Sequence, residues 1–92
     1  MRESQNPSGR EICVRCLFFA RYAELLDTES LEIVLPSDAT VADAIGRVRA
    51  SVPGADQLPE QPMVARNQEH VRIDTSLSDG DELAFLPPLA GG

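Results

Sequence analysis

A single amphipathic helix is the feature that most limits how this chain can fold. From residue 41 to residue 52 the apolar side chains recur at helical spacing and form one stripe, made of Val41, Ala44, Ile45, Val48 and Val52. Thr40 followed by Asp43 resembles a capping box that would begin the helix, and Pro53-Gly54 would end it. Such a stripe has to be buried against another layer, so the rest of the chain must supply that layer.

Short segments with alternating apolar residues flank the helix and predict the strands that cover it. In the first segment one face is uniformly apolar and should point to the core, and it consists of Ile12, Val14, Cys16 and Phe18. Residues 20–26 have the composition of a short helical turn, and a second strand at 31–35 should pair antiparallel with the first. After the helix, strands are expected at 63–66, 70–73 and 82–86, with turns at 67–69 and 78–81.

This order of two strands, one helix and several short strands predicts an α+β fold with one mixed sheet wrapped around the main helix. The chain has 92 residues, which is enough for one domain with a modest core. We expect a disordered N-terminal extension at 1–10, a folded domain at 11–86 and a flexible, extended C-terminal tail at 87–92.

The charge of the chain argues against several classes of function. Its net charge of −7 speaks against a nucleic-acid partner, because phosphates require a basic surface. All eight basic residues are arginines, so no side chain can form a Schiff base or accept an isopeptide bond on an amine. No apolar run approaches the ~20 residues of a membrane span, and no signal-peptide pattern opens the chain. We therefore expect no membrane partner and a cytoplasmic location.

No group of residues in the sequence predicts a metal site or a redox centre. Cys13 and Cys16 lie three apart on a predicted strand, where they would face opposite sides, and we expect two reduced thiols with Cys16 in the core. A zinc site would need two further ligands, and His70 is the only histidine. The acidic segment at 79–82 lacks the ligand spacing of an EF-hand, so a turn with solvated charges is expected there.

The last six residues, Pro87-Pro88-Leu89-Ala90-Gly91-Gly92, combine a stiff base with a thin end. Proline fixes φ at the base, and glycines without Cβ atoms let extended backbone enter a narrow slot. Six extended residues span roughly 20 Å. A terminal carboxylate on such an arm can reach the active site of another protein, and a terminus without a function is the simpler alternative.

Three blocks of the chain carry a resemblance to a known family. They are Leu17-Phe18-Phe19-Ala20-Arg21 with Glu24-Leu25, Asn67-Gln68-Glu69 with Val71, and the run from Asp79 to Phe85 followed by Leu86 to Gly92. In these blocks the chain resembles the molybdopterin synthase small subunit, and the likeness extends over residues 13–92. The resemblance implies a ubiquitin-like β-grasp fold. Ala23, Arg66 and His70 depart from residues common in the family, which affects the expected details of partner docking.

The resemblance implies that the C terminus is the reactive group. In the family an activating enzyme uses ATP to adenylate the terminal glycine, here Gly92, and a persulfide donor then converts the acyl-AMP to a thiocarboxylate. The tail residues 87–91 insert into the large subunit. There Gly92 would donate sulfur to cyclic pyranopterin monophosphate (precursor Z), which forms the dithiolene of molybdopterin.

The resemblance also implies the partners. The chain would be a non-catalytic sulfur donor in a heterotetramer of paired small and large subunits, with the catalytic residues on the large subunit and no permanently bound cofactor or metal on the small one. In the family the positions of Phe19, His70 and Leu86 face the large subunit. Strand parity also points Phe19 and Leu86 outward, and an exposed Phe and Leu near one another would mark an interface.

Three alternatives stay open at the level of the sequence. The same tail could carry sulfur for thiamine thiazole, cysteine or tRNA thiolation. It could be joined to target lysines as a ubiquitin-like protein modifier, although the lack of lysine prevents lysine-linked chains of the protein on itself. An ordinary interaction domain with an accidental Gly91-Gly92 ending is the last alternative.

Overall fold

The computed structural model describes residues 10–88. The elements in chain order are β1 (Glu11–Phe18), α1 (Arg21–Leu26), β2 (Ser30–Pro36), α2 (Val41–Ser51), a one-turn 3-10 helix (Ala55–Gln57), β3 (Met63–Arg66), β4 (Glu69–His70) and β5 (Glu82–Leu86). Most of the predicted N-terminal extension, residues 1–9, and the end of the predicted tail, residues 89–92, lie outside the described residues.

The five strands form one mixed sheet in the order β2-β1-β5-β3-β4. β1 pairs antiparallel with β2, as predicted, and parallel with β5, while β3 pairs antiparallel with both β5 and β4. The buried side of α2 and one face of the sheet belong to a single hydrophobic core. This arrangement of a mixed sheet around one main helix confirms the predicted α+β, β-grasp fold.

The core includes most of the residues that the periodicity selected, together with others such as Tyr22, Leu58 and Leu77. Ile12, Val14, Cys16 and Phe18 of β1 are all buried, and so are Val41, Ala44, Ile45 and Val48 of α2. Val52, the last member of the predicted stripe, is partly buried and caps the helix rather than lying within it. From β5, Leu83 and Phe85 are fully buried, and the ring of Phe85 lies 5.1 Å from that of Phe18, centroid to centroid.

The predicted capping box begins α2. The backbone N–H of Asp43 donates to Oγ1 of Thr40 at 3.4 Å, and the backbone N–H of Thr40 donates to Oδ2 of Asp43 at 2.8 Å. The first helical N–H groups also have partners, since Val41 N donates to the carbonyl of Thr75 and Ala42 N to that of Ile73. This end of the helix is therefore satisfied by a loop distant in sequence.

The strand expected at 70–73 is shorter than predicted. β4 contains only Glu69 and His70, and after Val71 the chain leaves the sheet. The physical reason is the contact at the start of α2, where the carbonyl of Ile73 accepts the backbone N–H of Ala42 at 2.8 Å and draws this segment towards the helix and away from the sheet edge. Tertiary hydrogen bonding thus overrides the local strand pattern.

The expectation of solvated charges in the turn before β5 was wrong for Asp81. Its side chain is buried, and its carboxylate accepts the backbone N–H of Ser78 at 2.8 Å and the Nδ2 of Asn67 at 3.0 Å. Asn67 in turn accepts the N–H of Glu82 at 2.9 Å through Oδ1 and donates its own backbone N–H to the carbonyl of Glu82 at 2.8 Å. This network ties the β3–β4 turn to the start of β5.

A second set of contacts fixes the turn at 78–81 to β1. Oδ1 of Asp79 accepts the backbone N–H of Cys13 at 2.7 Å, and the N–H of Gly80 donates to the carbonyl of Cys13 at 2.8 Å. Gly80 has a φ of +86°, a conformation that favours glycine. The start of β5 is thus held by hydrogen bonds to two neighbouring segments.

Candidate functional site

The sheet face opposite to α2 is apolar near the end of β5. The cross-strand register places Leu17 of β1 beside Ala84 of β5, Ala84 beside Ala65 of β3, and Ala65 beside His70 of β4. Residues directly opposite each other in a sheet point to the same side, so this row crosses four strands on one face. It is apolar until it reaches the edge strand, where His70 is exposed.

A second row lies one step closer to the tail. The register pairs Met63 of β3 with Leu86, the last residue of β5, and Phe19 follows the end of β1 on the same side. Met63 is 53% exposed and Phe19 45%, which is unusual for side chains of this size, and Leu86 is half-buried. We call Leu17, Phe19, Met63, Ala84 and Leu86 together the apolar face.

The backbone after β1 turns sharply and holds Phe19 outward. Ala20 has φ 52° and ψ −126°, and the N–H of Tyr22 donates to the carbonyl of Phe19 at 3.0 Å, the geometry of a type II′ turn. This conformation normally requires glycine, so Ala20 is strained. The buried side chains of Tyr22 and Leu26 anchor α1 to the core and hold this turn in place.

A groove surrounds the root of the tail. It is lined by Ala20, Arg21, Met63, His70, Leu86, Pro87 and Pro88, and we call it the tail-root groove. Two of the predicted interface residues, His70 and Leu86, meet in it, while the third, Phe19, lies in an adjacent depression that also includes Ala20. The structure thus brings the predicted positions to one side of the molecule.

Sequence reasoning missed Met63 and Arg21. The signal for Met63 was available, because a strand at 63–66 whose Val64 points to the core must turn Met63 outward. The proximity of Arg21 to the tail depends on the turn at Ala20, which no sequence pattern indicated. Pro87 and Pro88 line the groove, whereas the other predicted tail residues, Leu89, Ala90, Gly91 and the reactive Gly92, lie outside the described residues.

The two cysteines face opposite sides of β1, as predicted. Cys16 is fully buried, and burial raises the pKa of its thiol to about 12. Desolvation, followed by the negative charges of Glu32 and Asp79, raises the pKa of Cys13 as well. Both residues therefore stay protonated near neutral pH, and a protonated thiol is a poor nucleophile.

Residues 10–88 contain neither an arranged metal site nor a membrane-spanning helix. Within that range no cluster of three or more His, Cys, Asp or Glu side chains is arranged to hold a metal ion. Neither α1 nor α2, nor any other helix in the described part of the chain, is long and apolar enough to cross a membrane.

The mixed sheet around one main helix, with an exposed apolar face at the tail root, defines a ubiquitin-like β-grasp domain. The chain belongs to the ThiS family, whose profile matches residues 16–92. Its curated relatives include the molybdopterin synthase sulfur carrier subunit of Chlamydomonas reinhardtii, which is 33% identical over 81 residues that cover 86% of this chain and 98% of the relative. The likeness to molybdopterin synthase small subunits that the sequence indicated is confirmed.

Solved structures share the β-grasp fold of this chain. Small archaeal modifier protein 1 from Haloferax volcanii is 27% identical, with a TM-score of 0.76 over 85% of this chain and 99% of that chain. A chain from the complex of subunits 1 and 2 of the molybdopterin-converting factor of Helicobacter pylori is 23% identical, with a TM-score of 0.63, and covers 88% of this chain and 100% of its own length. At that identity the second likeness supports the fold alone.

Proposed function

We propose that this protein is the sulfur-carrier subunit of a molybdopterin synthase and that its C-terminal Gly92 carries the sulfur as a thiocarboxylate. The observation that carries the proposal is the family match over residues 16–92, which includes both the apolar face and the complete tail. The Chlamydomonas reinhardtii relative, of which the likeness covers 98%, is a sulfur carrier subunit by name.

The chemistry follows from the reactivity of a carboxylate. A carboxylate anion resists nucleophiles, so an activating enzyme first joins Gly92 to AMP and releases pyrophosphate from ATP. The persulfide sulfur of a donor protein then attacks the acyl carbon and AMP leaves. Reductive cleavage of the resulting acyl disulfide by a thiol frees the thiocarboxylate, a softer and more nucleophilic anion than the carboxylate. Attack on precursor Z and hydrolysis of the acyl product return Gly92 as a carboxylate.

The division of work between subunits follows from what this chain contains. The chain has no lysine and one histidine, which is consistent with catalytic acids, bases and phosphate-binding groups on the large subunit. The tail serves as a tether that makes the sulfur transfer effectively intramolecular within the complex. A large-subunit partner is supported by the Chlamydomonas reinhardtii relative, whose name makes it one subunit of a molybdopterin synthase. A cytoplasmic heterotetramer of paired small and large subunits completes the proposal.

Intact-mass measurement tests the central step. The protein is incubated with ATP, a candidate activating enzyme and a sulfur donor, and we expect the mass increase of one oxygen-to-sulfur exchange, located at Gly92 by fragmentation. A variant that lacks Gly92 is the matched control and should not change in mass. An unmodified wild-type protein, or sulfur located elsewhere, would contradict the proposal.

A protein modifier is the second candidate, and the likeness to small archaeal modifier protein 1 favours it. In that case Gly92 would form an amide with lysines of target proteins. Immunoblots of cells that express a tagged chain would then show a ladder of adducts that disappears when Gly92 is deleted. Restoration of a molybdoenzyme in cells without their own small subunit would instead support the sulfur carrier and argue against thiamine, cysteine or tRNA pathways.

A further inference from the structure

Among the described residues that line it, the tail-root groove has an arginine and no carboxylate, although the protein is strongly acidic. The chain has a net charge of −7, yet the only ionisable side chains among the described residues that line this groove are Arg21 and His70. The rest of the lining is apolar and includes Met63 and Leu86. The groove therefore offers an apolar floor with hydrogen-bond donors at its rim.

Arg21 and His70 come from opposite sides of the groove. Arg21 is the first residue of α1, directly after the strained turn at Ala20, and His70 is the last residue of the edge strand β4. Both are exposed. Arg21 also borders a second groove, which contains Glu24 and Pro88.

The other arginine on this sheet face is already surrounded by carboxylates. The register places Arg15 of β1 between Glu32 of β2 and Glu82 of β5. An acidic group of a partner that approached this row would meet two negative charges and one positive charge. The tail-root groove is the more favourable place for such a group on this face.

We propose that the tail-root groove docks an apolar ridge bearing an Asp or Glu side chain, which belongs to the protein that receives the tail, and that Arg21 and His70 bind this carboxylate. The inference rests on the proposed function, since it describes how the large subunit would be recognised. A guanidinium binds a carboxylate through two parallel hydrogen bonds. An imidazole has an N–H donor in either protonation state.

The contact lies beside the root of the tail, and this position gives it a role in docking. The groove ends at Pro87 and Pro88, so a carboxylate bound there lies at the entrance of whatever channel accepts the tail. Because the surrounding surface repels acidic groups, the contact fixes the orientation in which the apolar face meets its partner. The apolar contacts provide affinity, and Arg21 and His70 determine the orientation in which the two proteins meet.

Binding to the large subunit of the same organism tests the proposal. We would measure Kd by calorimetry at low and high salt for the wild type, Arg21→Glu, Arg21→Lys and the control Arg72→Glu, whose side chain is highly exposed and lines none of these grooves. We expect Arg21→Glu to weaken binding about tenfold at low salt, with a smaller loss at high salt. Arg21→Lys should recover part of the affinity because it keeps the charge without the planar fork. Arg72→Glu should bind like the wild type.

The outcomes separate this inference from the proposed function. Wild-type binding that is unaffected by Arg21→Glu would overturn the inference and leave the sulfur-carrier proposal intact. An equal loss in Arg21→Glu and Arg72→Glu would also overturn it, since net charge alone would then explain the effect. A wild-type chain that does not bind the large subunit at all would overturn both. Thermal unfolding of each variant shows that the comparison concerns folded protein.

Discussion

The two ends of β5 make different kinds of contact. At its start, Asp81, Asn67 and the turn at 78–81 enclose the backbone in hydrogen bonds. At its other end, Leu86 pairs only with Met63 in the ladder to β3, lies half-buried on an apolar surface and continues into Pro87. One end of a single strand is fixed by polar contacts within the molecule, and the other presents surface for contacts with another molecule.

Along this strand of five residues, the start contributes to the stability of the fold and the end contributes to docking of a partner. Leu83 and Phe85 between the two ends are fully buried. Changes at the start of β5 should therefore lower the free energy of unfolding, whereas changes at its end should lower affinity for the partner. The separation can be tested by substitutions along the strand.

The largest loss of stability is expected from a substitution in the middle of β5. Phe85→Ala removes a fully buried ring that packs 5.1 Å from Phe18, centroid to centroid, and should lower the free energy of unfolding by about 3–5 kcal/mol. Denaturant unfolding followed by circular dichroism measures this loss. Because the middle supports both ends, partner binding should fall as well. A variant as stable as the wild type would show that the core is not centred on β5.

Removal of the polar contacts at the start of β5 should have the next largest effect. Asp81→Ala leaves the N–H of Ser78 and the amide of Asn67 without their acceptor, and we expect a loss of about 2–3 kcal/mol. The exposed Asp74→Ala is the control and should unfold like the wild type. Under conditions where Asp81→Ala is folded, its Kd for the large subunit should be unchanged. A Kd that rises in parallel with the loss of stability would contradict the separation.

A charge at the other end of β5 should reverse this pattern. Leu86→Asp places a carboxylate on the apolar face and should weaken partner binding at least about tenfold, with little change in unfolding. Val34→Asp is a matched control, since Val34 is 47% exposed on the edge strand β2, far along the sheet from the tail. Equal losses of affinity for the two variants would mean that the whole sheet face, rather than its tail end, binds the partner.

The smallest effect is expected at the strained turn. Ala20→Gly relieves a backbone conformation that disfavours alanine and also loosens the unfolded chain, so the net change in stability should stay within about 1 kcal/mol. We expect binding to weaken slightly, because Phe19 and Arg21 would be held less firmly. Hydrogen exchange of the Tyr22 amide reports on this turn. Slower exchange in the variant would indicate that glycine stiffens the turn and would refute the expectation.

Much of the fold could be read from the sequence because it depends on local periodicity. The stripe of α2 and the alternation of β1 and β5 identified the core residues, and Thr40 with Asp43 identified the helix start. The residues that escaped prediction depend on contacts between distant segments. Asp81 looked like a surface charge until Asn67, which is 14 residues away, was placed beside it.

The residues of the candidate site also divide into those that the sequence predicts and those that it does not. Phe19 and Leu86 were predicted as outward residues from parity alone, and the structure places His70 on the same side of the molecule. Arg21 could not be predicted, since its position follows from a turn that alanine rarely adopts. The chemistry assigned to Gly92 stays a prediction, and the mass measurement described above is its test.

The parallel pairing of β5 with β1 has a mechanical consequence. A force applied to the tail acts along β5, which is held on one side by β1 and on the other by β3. The hydrogen bonds on both flanks lie across the direction of pulling, so they are loaded in shear and must break together rather than one after another. Withdrawal of the tail from a tight channel should therefore free the protein intact, without unravelling the strand that carries it.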